Sequence, residues 1–444
     1  MRAKPLLLGA LAAAGVLAGL AYAQTKTSMT APGAAAGMTP TQLLTAPLAV
    51  PADAQLQRGR SLVIAGDCLS CHTRPGGEPL SGGLGMKTPF GVIYTPNLTS
   101  DRETGIGGWT PDQFWGAMHR GRDDEGHYLY PAFPYVFFSQ VSRADSDAIL
   151  AYLKTTPAVS YTPPDNKLPF PLNIRLVMWG WNLLFFHPHD FQADASKSAQ
   201  WNRGAYLVNG LGHCGQCHTP TNLFGANVER SAFHGGSLEN SVAPDLTGNK
   251  RTGLGGWSTA QIVEYLKTGR NDRAQASGPM AEVISYSTSL MSDQDLQAIV
   301  TYLQSLPASP AADPAAPDAA AMKRGAEIYS DACASCHLDQ GRGQPRYFPP
   351  LSNDTAVQQA NPDGVLRMVL AGTRTAPTAG RPSPLAMPSF AWKLDDQEIA
   401  DVTTYVRNSW GNRAQRVTAS QVAHERRKLD LKTSSLTPFS GDHD

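Results

Sequence analysis

"GHCGQCHTP", residues 212–220, holds two cysteines separated by two small residues, with a histidine directly after the second. The chain repeats the arrangement as "GDCLSCHTR" (66–74) and "DACASCHLD" (331–339). Each copy reads C-x-x-C-H: Cys68, Cys71 and His72; Cys214, Cys217 and His218; Cys333, Cys336 and His337. These three copies use all six cysteines of the 444-residue chain.

C-x-x-C-H is the attachment signature of a c-type haem. The two thiols add to the porphyrin vinyl groups as thioethers, and the next residue sets an imidazole under the iron. The opposite side of the iron is left for a second ligand or a substrate. A zinc site would need four ligands, usually paired C-x-x-C units close enough to share one ion. Here the copies lie more than a hundred residues apart and each brings its own histidine. A redox dithiol would open a helix after a strand and gives no reason for a histidine in every copy. The expected cofactors are therefore three covalently bound haem c groups, with His72, His218 and His337 as proximal iron ligands.

The amino terminus agrees with that chemistry. "MRAKPLLLGALAAAGVLAGLAYAQ" has two basic residues, an apolar run and the small-residue site Ala21-Tyr22-Ala23, the pattern of a cleaved secretory signal peptide over residues 1–23. Covalent haem attachment takes place outside the bacterial cytoplasm, so the mature chain is expected in the periplasm. Formal net charge is zero, which removes any electrostatic case for nucleic acid. Charged residues are 17%, while Gly and Pro number 41 and 34, a balance suited to loops laid over buried porphyrin.

The repeat extends past the anchors. "TPNLTSDRETGIGGWTPDQF" (95–114) aligns without gaps to "APDLTGNKRTGLGGWSTAQI" (243–262). A helical pattern precedes each anchor ("QLQRGRSLVIAGDC", "WNRGAYLVNGLGHC", "MKRGAEIYSDAC"). Another closes each unit ("SDAILAYLKTTP", "DQDLQAIVTYLQSLP", "DQEIADVTTYVRNSW"), with one apolar face and a Ser or Asp N-cap. Helix, anchor, loop and closing helix resemble the class I cytochrome c fold. The expected class is mainly α: three tandem class I cytochrome c-like haem domains with long loops, at 50–160, 196–306 and 321–412.

The connecting segments have their own character. Residues 307–320, "PASPAADPAAPDAA", form a semi-extended Pro/Ala linker. Residues 161–195 contain an apolar stretch, 170–186, too short for a comfortable bilayer crossing. It reads either as a buried helix tying two units together or as a surface that docks a partner or the membrane interface. In the second reading Trp179, Trp181, Phe185 and Phe186 are the anchors. The polar tail, 413–444, reads as flexible or wrapped on a neighbour.

An electron carrier usually places methionine opposite the histidine, supplied by the loop before the last helix. In the third unit "LAMPSF" offers Met387; in the second "GPMAEVISYST" offers Met280, with Met291 ranked below it in the helix cap. The first unit departs, because "YPAFPY" puts Phe133 where the pattern wants methionine. Met86 and His127 lie in loops and could reach in, Met118 occupies a helix-face packing position, or the iron is open.

The signal peptide, the three anchors, "GIGGW" (105–109), "LYPAFPY" (129–135) and "WGNRA" (410–414) together resemble the triheme cytochrome c subunits of bacterial membrane-bound periplasmic dehydrogenases. That resemblance implies an electron-transfer subunit with no substrate catalysis of its own. Its electrons would come from a catalytic subunit oxidising an alcohol, aldehyde, sugar or sugar acid, and pass to ubiquinone or a terminal oxidase. The partner would carry molybdenum, pyrroloquinoline quinone or flavin, with a possible additional small subunit, at the outer face of the cytoplasmic membrane. "YPAFPY" with "NIRLVMWGWNLLFF" is more similar to cytochromes that accompany molybdenum-type aldehyde dehydrogenases. Two other functions stay open on residues alone: an open first haem reducing a small oxidant such as peroxide, and a free-standing electron carrier.

Overall fold

The structure, a computed structural model, describes residues 51–238, 241–310 and 313–431; the expected signal peptide lies outside them. The chain begins with α1 (Ala54–Ala65), α2 (Cys68–His72), the hairpin β1 (Gly85–Thr88) and β2 (Gly91–Tyr94), α3 (Pro111–Arg120), α4 (Tyr135–Phe138) and α5 (Arg143–Leu153). The connecting segment carries α6 (Val177–Phe185). Next come α7 (Ala199–Tyr206), a π turn at Leu207–Leu211, α8 (Gly215–His218), β3 (Gly236–Leu238), β4 (Ser241–Ala243), α9 (Thr259–Thr268), α10 (Pro279–Tyr286) and α11 (Asp293–Leu303). The last part holds α12 (Ala319–Ala332), α13 (Ala334–His337), α14 (Asp363–Ala371), β5 (Thr373–Arg374), β6 (Ala386–Met387), α15 (Asp396–Val406) and α16 (Ala419–Lys428). Among the described residues the strands make only two-stranded antiparallel hairpins, so the protein is mainly α.

One helix crossing recurs: α1 packs on α5, α7 on α11 and α12 on α15. Glycine makes each close approach possible. A Cβ added at Gly59, Gly204 or Gly325 would overlap the backbone carbonyl of Ala148, Ala298 or Asp401 respectively. The tyrosine one turn further, Tyr152, Tyr302 or Tyr405, covers the same glycine. The arginine just before each glycine pairs across the crossing: Arg58 with Asp145 at 2.6 Å, Arg203 with Asp295 at 2.8 Å, Arg324 with Asp401 at 2.6 Å. Ser142, Ser292 and Asp395 cap the closing helices by accepting backbone N–H bonds, each contribution about 1 kcal/mol.

A single apolar core runs through the first two units, joining Leu62, Val63, Ile149 and Leu153 to Leu207, Leu211, Leu296 and Val300. The last unit has its own core around Leu366, Leu370, Ile399 and Val402. A small cluster of Ala276, Ala281, Ile284 and Ala376 joins the second and third.

Two expectations from the sequence change here. The described part of the tail is not loose, because α16 packs on α15 of the same unit. Val422 and Glu425 are fully buried, and Arg426 bonds Asp396 at 2.8 Å and the carbonyls of Ala391 and Leu394 at 2.9 and 3.1 Å. A polar composition hid a helix with one of its two arginines, Arg426, satisfied inside. The apolar stretch 170–186 ties the two units but is only partly buried: Asn182 accepts from Tyr135 and Trp181 donates to the Phe224 carbonyl at 2.9 Å, while Phe170, Leu176, Leu183 and Leu184 stand exposed. No helix among the described residues is long and apolar enough to cross a membrane.

Candidate functional site

Each C-x-x-C-H string lies on a short helical turn, α2, α8 or α13 (with its first cysteine at the cap in the last two), directly after its preceding helix. A single turn puts the two thiols on one side and carries the following imidazole inward. The histidine rings are then held from behind. Nδ1 of His72 donates to the carbonyl of Pro96 at 2.8 Å, that of His218 to Pro244 at 2.7 Å, and that of His337 to Pro349 at 3.0 Å. A carbonyl can only accept, so the proton sits on Nδ1 and the Nε2 lone pair is free. That is the tautomer an iron-binding histidine needs, with its orientation set by a backbone partner. Burial pushes the His72 imidazole down to about 4 and lowers His218 and His337, which keeps all three neutral.

The three acceptor prolines open one short string: "PNLT" at 96–99, "PDLT" at 244–247 and "PPLS" at 349–352. Alignment of the first two units contained the first pair. The third copy, and the role of the proline carbonyl, were missed. A search for Pro-x-Leu-Thr/Ser after each anchor would have found them. The Arg-Gly pair in each preceding helix was a second unread signal, now explained by the crossings.

None of the six cysteines is paired in a disulfide. Burial pushes Cys68 and Cys214 up to about 12 and Cys333 up to about 11, and it raises Cys71 as well. Among the described residues no three His, Cys, Asp or Glu side chains gather as a cage for a metal ion. Neutral thiols paired one turn apart beside a neutral, oriented imidazole fit thioether attachment of haem. A further fit comes from orphaned polar atoms. Arg270 is 5% exposed, yet both terminal guanidinium nitrogens lack partners, as do the amide N and O of Gln275 paired with it across a backbone bridge. A buried unpaired guanidinium calls for an anion, and the propionates of a haem are anions.

The first two anchors adjoin. Cys71 lies within electrostatic reach of Cys217 and Glu282, and α10 of the second unit packs on α2 of the first. The His213 ring bonds the backbone of Gly66, one residue before Asp67. Asp67 takes the Ser70 hydroxyl at 2.6 Å, and burial pushes its carboxyl up to about 7.

The other sequence candidates sort by environment. Met280, on α10, is half-buried against the shared core, and Met387, on β6, is half-buried opposite Thr373. Met291 and Met118 are core residues, the latter 4.0 Å from the Ser146 hydroxyl. His127 is exposed, with Nδ1 3.5 Å from Asp123 and 3.3 Å from Glu125. Met86 stands on β1 opposite Ile93, between His72 and Pro96 in the chain. Phe133 packs edge-on to Phe138 at 5.3 Å.

The cytochrome c family pattern matches residues 202–307 and 322–410. The chain is 41% identical to a nicotinate dehydrogenase subunit of Pseudomonas putida over 80% of its own length, but it spans only 30% of that protein. It is 39% identical to the cytochrome c subunit of alcohol dehydrogenase (quinone) of Gluconobacter oxydans, covering 82% of this chain and 80% of the relative. For the gluconate 2-dehydrogenase cytochrome c subunit of Pantoea cypripedii the identity is 37%, with 84% and 90% covered. With its oriented histidines and paired thiols, the chain belongs to the cytochrome c family, among the cytochrome c subunits of dehydrogenases.

Proposed function

We propose that this chain is the electron-transfer subunit of a periplasmic dehydrogenase complex and carries three haem c groups, one on each C-x-x-C-H string. Each bound haem supplies one-electron exchange between ferric and ferrous iron. The chain's residues do the rest. Paired cysteines hold the macrocycle, and His72, His218 and His337 present Nε2 while a proline carbonyl fixes the other nitrogen. Met280 and Met387 are the sulfur ligands of the second and third sites, inside domains 196–306 and 321–412. The contact between α2 and α10 and the nearness of Cys71 to Cys217 support passage between the first two sites within one shared interior.

The relatives are named for nicotinate, alcohol and gluconate, three unlike substrates served by one cytochrome scaffold. The substrate therefore belongs to a catalytic partner of molybdenum, quinone or flavin type, and the acceptor is ubiquinone or a terminal oxidase. Export by residues 1–23 and peripheral contact of 170–186 with the outer face of the cytoplasmic membrane complete the reading. Exposed Phe170, Leu176, Trp179, Leu183 and Leu184 support that contact. An open-haem peroxide reductase and a free-standing carrier are both disfavoured, because relatives matched over four fifths of their length or more are named as dehydrogenase subunits.

The observation that carries the proposal is the set of three histidines, each locked by its own proline carbonyl. A pyridine haemochrome assay on the mature chain is expected to return three equivalents, and purification from solubilised membranes is expected to bring a large dehydrogenase subunit with it. A chain with fewer haems, or one recovered alone from the soluble fraction, overturns it.

A further inference from the structure

The first haem site lacks the sulfur that Met280 and Met387 offer in the other two, since Phe133 fills the corresponding loop. We propose that Met178, on α6 of the connecting segment, supplies the thioether ligand to the first iron. The inference rests on the three-haem reading above and adds a ligand from outside the domain at 50–160.

The burial pattern of α6 is the first observation. One face looks to solvent, with Leu176 70% exposed, Trp179 56%, Leu183 64% and Leu184 68%, while Trp181, Asn182 and Phe185 are half-buried. Met178 is 6% exposed and is the buried residue of the helix. Met178 begins the packed face that Trp181, Asn182 and Phe185 continue, and it is the most deeply buried of the four.

The second observation is where α6 is fastened. Tyr135, two residues after Phe133, is fully buried and donates its hydroxyl to Asn182 Oδ1 at 2.6 Å. Asn182 is one turn beyond Met178, so both stand on the same face of α6. The Tyr135 ring also meets Trp181 and Phe186 edge-on, with centroids 6.4 and 4.9 Å apart. Tyr130, three residues before Phe133, donates its hydroxyl to the carbonyl of Leu172 at 2.8 Å. Arg175 bonds Asp123 at 3.2 Å and reaches the Tyr128 carbonyl at 3.4 Å. The connecting segment thus clasps the loop that carries Phe133 on both sides of that residue, and its buried methionine lies one helical turn from the Tyr135 contact.

The third observation is elimination. His127 faces Asp123 and Glu125 in solvent, Met118 is buried in the shared core, and Met86 is held in the β1–β2 hairpin opposite Ile93. Phenylalanine has no lone pair for iron. A thioether is uncharged and is the ligand type that raises a haem potential, so Met178 would complete three methionine-ligated sites. A methionine that merely fills a gap is the competing role, and the two differ spectroscopically.

Near-infrared magnetic circular dichroism of the ferric protein counts methionine–iron bonds, while the pyridine haemochrome assay counts haems. Wild type is expected to show three of each. M178L is expected to keep three haems but only two methionine–iron bands, with one ferrous haem now binding carbon monoxide rapidly. M178H is expected to restore a low-spin first haem with an imidazole signature and a lowered midpoint potential. M118L and M86L are expected to retain all three bands. Three bands in M178L, or two bands in the wild type alongside three haems, overturns the assignment of Met178 while leaving the haem count intact. Fewer than three haems in the wild type overturns the count itself, and the assignment with it.

Discussion

Gly204 lies directly beneath the carbonyl of Ala298, at the crossing of α7 and α11, so closely that an added Cβ would overlap the backbone. G204A gains the helix propensity of alanine, up to about 1 kcal/mol, but forces two packed helices apart. Overpacking of this kind destabilises by about 1–3 kcal/mol, more where backbone rather than side chain must move. The expected outcome is a lower thermal midpoint for the holoprotein, measured by circular dichroism. Unchanged stability would show that the crossing can open.

Asp145 ties the first two units together. Its carboxylate takes the Tyr206 hydroxyl at 2.6 Å from the second unit and the Arg58 guanidinium at 2.6 Å from the first, while 2% exposed. Hydrogen bonds to charged groups contribute about 1.5–3 kcal/mol each. D145A leaves the buried Tyr206 hydroxyl without this acceptor and is expected to lower stability by at least about 2 kcal/mol. Y206F, which keeps the Arg58 contact, is expected to lose less. Denaturant titration of both variants checks the order.

Replacing Cys333 and Cys336 together by serine removes the thioether donors of one anchor. The third unit has its own core, separate from that of the first two. The double variant is therefore expected to hold two haems by pyridine haemochrome, with the first two sites spectroscopically unchanged. The same exchange at Cys214 and Cys217 is expected to disturb the first site as well, because the anchors at 68–72 and 214–218 share an interior.

Arg270 has no partner for either terminal nitrogen, and burial holds its guanidinium below its ordinary range, with Arg381 nearby adding repulsion. If a propionate closes that site, the positive charge there favours the ferrous state. R270Q is then expected to lower the midpoint potential of one haem and leave the others in place, as read by spectroelectrochemical titration. Identical potentials in variant and wild type would place the guanidinium away from any haem.

Reading along the chain sufficed where the chemistry is local. C-x-x-C-H names its cofactor because two thiols and an imidazole must sit within one turn, and the periodicity of the flanking segments places helices before each anchor and at the end of each unit. The mainly α cytochrome c class follows from those two facts. Even the Pro-x-Leu-Thr/Ser strings and the Arg-Gly pairs were present as text, but their purpose was invisible, because a carbonyl behind an imidazole and a glycine beneath a carbonyl are relations between distant residues.

Only the tertiary structure decided the rest. The common core of the first two units, the folding of α16 back on its own unit and the exposure of one face of α6 all depend on which surfaces find one another. Met178 is the clearest case: in sequence it is one apolar residue in an apolar run, 45 positions after Phe133. It is buried on a helix that Tyr135 fastens through Asn182, a contact across chain segments that no local pattern specifies.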